Sequence, residues 1–179
     1  MSYQNCLVTS NICKGCRDTV GGIKQVYIIA GNVTGTTENG TQEILTIGGT
    51  GTTYTFQVEK NTSSFTETIT PSLENGTVFY DQQVVLVFNK LQQSTRNQIK
   101  LLAQNTDMKV ILETNDGSLF YLGEDFGMFM NAGTAETGTT FGDRQGYSIT
   151  LQAFEKEPAK ELAGSVSATL VGITLAAGC

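Results

Sequence analysis

The chain contains no histidine and no tryptophan, only two prolines, and few charges: 16% of its 179 residues are Asp, Glu, Lys or Arg. Each shortage excludes something. Without histidine there is no Ser-His-Asp or Cys-His nucleophile system, no ordinary acid/base group near neutral pH, and no imidazole metal ligand. Without tryptophan the flat aromatic platform favoured by sugar-binding sites is missing. With a formal net charge of −6 and no basic run, grip on nucleic acid through phosphate contacts is not expected, because Lys and Arg supply that affinity. No apolar run is long enough to span a bilayer. The longest stretch, residues 168–177, is interrupted by Thr169, Gly172 and Thr174. No basic n-region followed by an apolar segment stands at the start, which predicts synthesis in a cytosol and no membrane insertion.

What is present is glycine, twenty residues of it, with abundant Thr, Asn and Ser. Low charge with many turn formers suits a mainly β protein rather than a helical bundle or a disordered tail. The length suits one domain with a sizeable core, read as residues 1–179 with residues 1–21 as an N-terminal arm.

Strand signals follow one another along the chain. Residues 22–29 predict a first strand, closed by Ala30-Gly31-Asn32. A short strand at residues 44–47 is bounded by Gly48-Gly49, and Gly48-Gly49-Thr50-Gly51 reads as a bend. It lacks the Gly-Lys-Ser/Thr ending of a phosphate loop. Residues 54–59 alternate apolar and polar, Lys60-Asn61-Thr62-Ser63 turns the chain, and residues 65–70 run back, predicting a long hairpin. Asn75-Gly76 is a turn dipeptide before a strand over residues 78–88, with a bulge near Asp81-Gln82. Ser94 or Thr95 can cap a helix to Gln104, with Ile99, Leu102 and Ala103 on one face and Arg96 and Lys100 on another. A hairpin around Asn115-Asp116-Gly117 joins residues 108–113 to 119–122. Further strands are predicted at 126–130, 147–154 and 166–173, with a flexible loop at 132–142. This order, without βα alternation, predicts a mainly β fold: a β-sandwich or partly closed barrel with one flanking α-helix.

Chemistry-bearing clusters are few. Cys13-Lys14-Gly15-Cys16 is a C-x-x-C, but it precedes the first strand instead of opening a helix, so a thioredoxin-like role is weak. A four-thiolate metal site from Cys6, Cys13, Cys16 and Cys179 is the lesser alternative, because the second pair lacks zinc-site spacing. Free thiols or a terminal clasp are preferred. Glu155, Glu157 and Glu161 with Lys156 and Lys160 read as a solvated connection between strands. The Asn-x-Ser/Thr sequons at Asn32, Asn39, Asn61 and Asn75 read as turn and loop positions. No catalytic residue and no cofactor are called for.

Two segments carry a resemblance. Cys16-Arg17-Asp18-Thr19-Val20-Gly21-Gly22-Ile23-Lys24-Gln25-Val26-Tyr27-Ile28 is one. The other is Gly133-Thr134-Ala135 through Gly138-Thr139-Thr140-Phe141-Gly142-Asp143-Arg144-Gln145-Gly146-Tyr147-Ser148-Ile149-Thr150-Leu151, with Glu155-Lys156-Glu157-Pro158-Ala159 after it. Both resemble structural proteins of tailed phages of Bacteroides-type bacteria, of the tail-tube kind. The resemblance implies a non-enzymatic virion protein made in the host cytoplasm. It implies self-assembly into stacked, hexameric rings whose channel passes DNA without sequence-specific binding, alongside other tail or head–tail junction proteins. It also implies that residues 54–70 are the ring-stacking hairpin, with Lys60, Asn61, Thr62 and Ser63 at its tip. A ring or collar protein of the head–tail junction and the inner tube of a contractile injection system are alternatives within that kind. A monomeric ligand-binding β-sandwich is the alternative of a different class, and an enzyme using Cys13 and Cys16 comes last.

Overall fold

The computed structural model describes residues 10–15, 17 and 19–177. Ten strands and two helices follow in chain order: β1 (Ile23–Glu38), β2 (Ile44–Gln57), β3 (Ser64–Ser72), β4 (Thr77–Asn89), α1 (Gln93–Gln104), β5 (Lys109–Thr114), β6 (Leu119–Leu122), β7 (Phe129–Glu136), β8 (Gly146–Glu155), β9 (Lys160–Glu161), α2 (Val166–Thr169) and β10 (Leu170–Leu175). They form a six-stranded sheet of order β10-β2-β1-β5-β6-β9 and a four-stranded sheet of order β3-β4-β8-β7. The architecture is mainly β, two stacked sheets with a flanking helix and no closed barrel.

Period-two burial explains the stacking. In β1, Val26 and Ile28 face one way and Tyr27 and Ile29 the other, and all four are buried. In β5, Val110 and Leu112 share the first face while Ile111 takes the second. The first face meets Val84 and Leu86 of β4 and Ile149, Leu151 and Ala153 of β8, the apolar centre of the sandwich. The second face is covered by Leu162, Val166 and Leu170. The six-stranded sheet is therefore buried on both sides at its middle, whereas the outer face of the four-stranded sheet mixes Thr, Gln and Asp side chains with Val85, Val87 and three phenylalanines. Helix α1 sends Leu102 into the inter-sheet core with Ile99 against it.

Several sequence expectations need correction. β1 does not close at Ala30-Gly31-Asn32, and Gly48-Gly49-Thr50-Gly51 is not a bend. Both segments lie within one long antiparallel pair in which Gly31 sits opposite Gly51. A Cβ at Gly31 would stand 2.1 Å from the Thr50 carbonyl oxygen, and one at Gly51, where φ is +135°, 2.5 Å from that of Ala30. These glycines permit close backbone approach rather than a chain reversal. The hairpin expected over residues 54–70 does not exist: β2 pairs with β1 and β10, β3 pairs with β4, and the chain crosses between sheets at residues 58–63. β4 pairs without a register shift, so it has no bulge at Asp81-Gln82. Residues 132–136 belong to β7, and the loop that follows is shorter than expected. The last predicted strand opens as helix α2. Helix α1 starts at Gln93 after Gln92 with no side-chain cap, placing Ser94 and Thr95 inside its first turn.

Candidate functional site

One two-stranded ribbon leaves the sandwich. β8 supports β4 only as far as Tyr80, opposite Glu155; beyond it, residues 69–79 pair only as a β3–β4 ribbon. Its tip contains Gly76 at φ +62°, the left-handed conformation that the Asn-Gly signal anticipates. Leu73 there is fully exposed, and Ile69 and Val78 are exposed beside it. Among the described residues the outer edge of β3 has no neighbour in the sheet order. The β1–β2 pair also extends past β5 but is not free of the body: β10 lines β2 from Ile47 to Thr53, and Ile44 and Ile47 are fully buried. β5 accompanies β1 only from Ile23 to Ile29, so residues 30–38 of β1 are paired with β2 on one edge alone. Its tip is closed by the Asn39 Oδ1, which accepts the backbone N–H groups of Thr41 (2.9 Å) and Glu43 (3.0 Å).

The expected stacking tip lies elsewhere than at a hairpin end. Lys60, Asn61 and Thr62 are exposed on the connection between sheets, with Asn61 at φ 61°. Thr62 donates to the Glu59 carbonyl at 2.8 Å. Ser63 is buried, its hydroxyl accepting the Val87 N–H at 3.2 Å. Ser63 therefore anchors the crossing rather than presenting a contact. Cys13 is exposed and free; Cys6, Cys16 and Cys179 lie outside the described residues.

The cluster around Pro158 is more built than its sequence suggests. Lys160 Nζ meets Glu38 at 2.7 Å, Glu157 at 2.8 Å and Glu124 at 3.0 Å. Burial lowers its pKa, but the hydrogen bonds it donates to those carboxylates outweigh burial and raise it above the ordinary lysine value. Glu155 is buried, accepting the N–H groups of Asp125 and Phe126 at 3.0 Å each. Burial pushes its carboxyl up, in part against those two bonds. Gln82, also buried, accepts the Gly123 N–H at 3.1 Å. With Tyr121 these groups line a polar cavity of about 140 Å³. The Tyr121 hydroxyl is buried there without a hydrogen-bond partner among the described residues, and burial followed by the charge of Glu124 raises its pKa. Among the described residues no set of three or more acidic or thiol side chains is arranged to hold a metal ion. A sequence read strand by strand has no signal for this cluster, which joins residues 38, 82, 121, 124 and 160.

A second polar group sits at the other end of β1. Glu113 takes hydrogen bonds from Lys24 (2.5 Å), Gln25 (2.6 Å) and the Tyr27 hydroxyl (2.9 Å). Burial, then Glu113 itself, pushes the Tyr27 phenol up to about 12. Both members border an open hollow beside Ser165 and Leu175.

The outer face of the four-stranded sheet carries Thr66, Thr68 and Thr70 on β3, Gln83 on β4, and Thr150 and Gln152 on β8, as the register requires. Asp81 on that face is held by the Gln152 amide at 2.8 and 3.0 Å. Toward the β3–β4 ribbon the face turns aromatic: Phe79 meets Phe154 edge-on at 5.9 Å between centroids, and Phe154 meets Phe129 at 6.2 Å. Among the described residues no helix is long and apolar enough to cross a membrane. No protein-family model matches this sequence, and no curated protein matches it.

Proposed function

We propose that this chain is a non-enzymatic structural subunit that assembles with copies of itself, as a phage tail-tube subunit, into stacked rings around a channel for DNA. The observation that carries the reading is the β3–β4 ribbon, which outruns the sandwich, with the open edge of β1 beyond Ile29 beside it. Open backbone edges and exposed Ile69, Leu73 and Val78 cost little in a subunit whose neighbours cover them, and invite uncontrolled pairing in one that stays alone. The resemblance of residues 16–28 and 133–151 to tail-tube proteins agrees with that reading. A Thr/Gln face bearing Asp81 and no Lys or Arg along its middle strands suits a channel wall, since a polyanion finds no cations there to hold it.

Negative-stain electron microscopy with light scattering on the purified chain tests the proposal. Rings or tubes with a central channel are expected, and replacing residues 69–79 by a short turn is expected to abolish them. Single rings that never stack would shift the reading to a head–tail junction ring. A monomer at high concentration that also fails to polymerise on tail-tip initiators would overturn it.

A further inference from the structure

Two asparagines in this chain precede glycine, Asn39 before Gly40 and Asn75 before Gly76. One follows the last residue of β1 and the other lies between β3 and β4, so each stands at the tip of an antiparallel pair. An asparagine before glycine carries a reaction of its own. The glycine backbone nitrogen attacks the asparagine Cγ, an approach that no Cβ on the glycine crowds. That nitrogen gives up its proton, the bond from Cγ to Nδ2 breaks, and ammonia leaves. The five-membered succinimide that remains is then opened by water. Cleavage at Cγ gives aspartate, and cleavage at the main-chain carbonyl gives isoaspartate. No oxidant, reductant or second protein enters the balance. Every other asparagine of the chain precedes a residue with a side chain.

The fold treats the two amides differently. Asn39 is held at both ends of its carboxamide. Its Oδ1 accepts the Thr41 N–H at 2.9 Å, the Thr41 hydroxyl at 2.6 Å and the Glu43 N–H at 3.0 Å. Its Nδ2 donates to the Glu43 carboxylate at 2.5 Å. Two main-chain bonds close the same loop, Asn39 N–H to the Glu43 carbonyl at 3.0 Å and Gln42 N–H to the Asn39 carbonyl at 3.1 Å. Bonds at both heteroatoms fix the plane of the carboxamide. Turning its face to the Gly40 nitrogen breaks them together.

Asn75 has no such hold. It is exposed, within residues 73–76 that join the Ser72–Thr77 pair. Among the described residues its carboxamide has no hydrogen-bond partner, and its own N–H reaches the Ser72 hydroxyl only at 3.4 Å. The Gly76 N–H has no acceptor among the described residues, and the space where a Gly76 Cβ would stand is open. Nucleophile, electrophile and water therefore meet without a bond to break first.

We propose that Asn75 is a self-modification site, converting in the folded chain through the succinimide to isoaspartate and aspartate, while Asn39 is protected by its hydrogen bonds. The product places a carboxylate beside Glu74. As isoaspartate it also reroutes the main chain through Cβ, at the tip that carries the fully exposed Leu73. The proposal goes beyond the self-assembly reading and does not rest on it.

The test is to hold the freshly purified, folded chain at mildly alkaline pH and map it over days by peptide mass spectrometry, with fragmentation that separates isoaspartate from aspartate. Conversion at Asn75 is expected to run at least about tenfold faster than at Asn39. Heavy-oxygen water is expected to label the product at residue 75. At a urea concentration that unfolds the chain, the two rates are expected to converge. Thr41→Val/Glu43→Ala, with its fold checked by circular dichroism, is expected to speed Asn39 several-fold and leave Asn75 as it was. Equal rates at the two positions in the folded chain would overturn the proposal. So would an Asn75 that stays intact while the unfolded chain converts there. Neither outcome bears on whether the chain assembles, which microscopy reads separately.

Discussion

Lys160 reaches Glu38 across 2.7 Å and so ties the far end of the β1–β2 ribbon to the connection that follows β8. The two residues are 122 positions apart in the chain. Glu124 holds the same ribbon from a third direction, accepting the Thr36 hydroxyl at 2.6 Å as well as the Lys160 ammonium. The far half of the β1–β2 pair thus keeps one orientation, which an assembly contact needs.

Lys160→Met should test that tie. The lysine side chain is 13% exposed, and its removal leaves three carboxylates facing one another. Loss of about 2 kcal/mol in urea unfolding is expected, less than for a fully buried pair because Glu157 and Glu38 keep contact with water. Faster amide exchange at residues 36–46 should accompany it, and unchanged exchange there would show that the ribbon is held by pairing alone.

Acid should weaken the other end of β1. Burial pushes the Glu113 carboxyl up, but hydrogen bonds from Lys24, Gln25 and Tyr27 together hold its pKa below the ordinary 4.5. A lowered folded-state pKa gives stability that is present above the unfolded value and lost as pH falls through the folded one. Glu113→Gln should therefore flatten the acid limb of stability below about pH 4.5 and lower neutral-pH stability by about 1 kcal/mol. It should also bring the Tyr27 phenol down from about 12 in a spectroscopic titration. An unchanged acid limb would place the acid sensitivity elsewhere.

Gly51→Ala meets two obstacles at once: a φ of +135° and the Ala30 carbonyl oxygen 2.5 Å from the new Cβ. A loss of about 2–4 kcal/mol is expected from strain and displaced backbone. Gly40→Ala, where a Cβ meets nothing within 4 Å, should cost under about 1 kcal/mol by comparison. Equal losses in thermal unfolding would contradict the close-approach argument.

Tyr121→Phe should leave stability unchanged or raise it by up to about 1 kcal/mol, because the hydroxyl it removes is buried and unpaired. A loss above about 1 kcal/mol would mean that the hydroxyl has a partner in solution, such as an ordered water in the adjoining cavity.

Local order in this chain is written locally. The alternation of β8, the turn at Asn115-Asp116-Gly117 and the Asn75-Gly76 signal each depend on residues a few positions apart, and each element is present. The sandwich class follows from them, because half-buried strands without interleaved helices must stack. Partner choice is not local. Residues 54–59 and 65–70 have the pattern of a hairpin, yet they belong to different sheets. Alternation reports that one face of a strand is buried but carries no information about which strand lies alongside. The glycines at 31 and 51 look like breakers in sequence and become a close-packed pair only when the two strands meet.

Composition by itself determined a low-charge, acidic, mainly β chain without histidine chemistry, and the tertiary structure decided where its charge went. The lysine ringed by three carboxylates and the buried Glu155 arise from residues far apart in the chain. Coulomb energy depends on distance in space, and only the packed sheets set those distances.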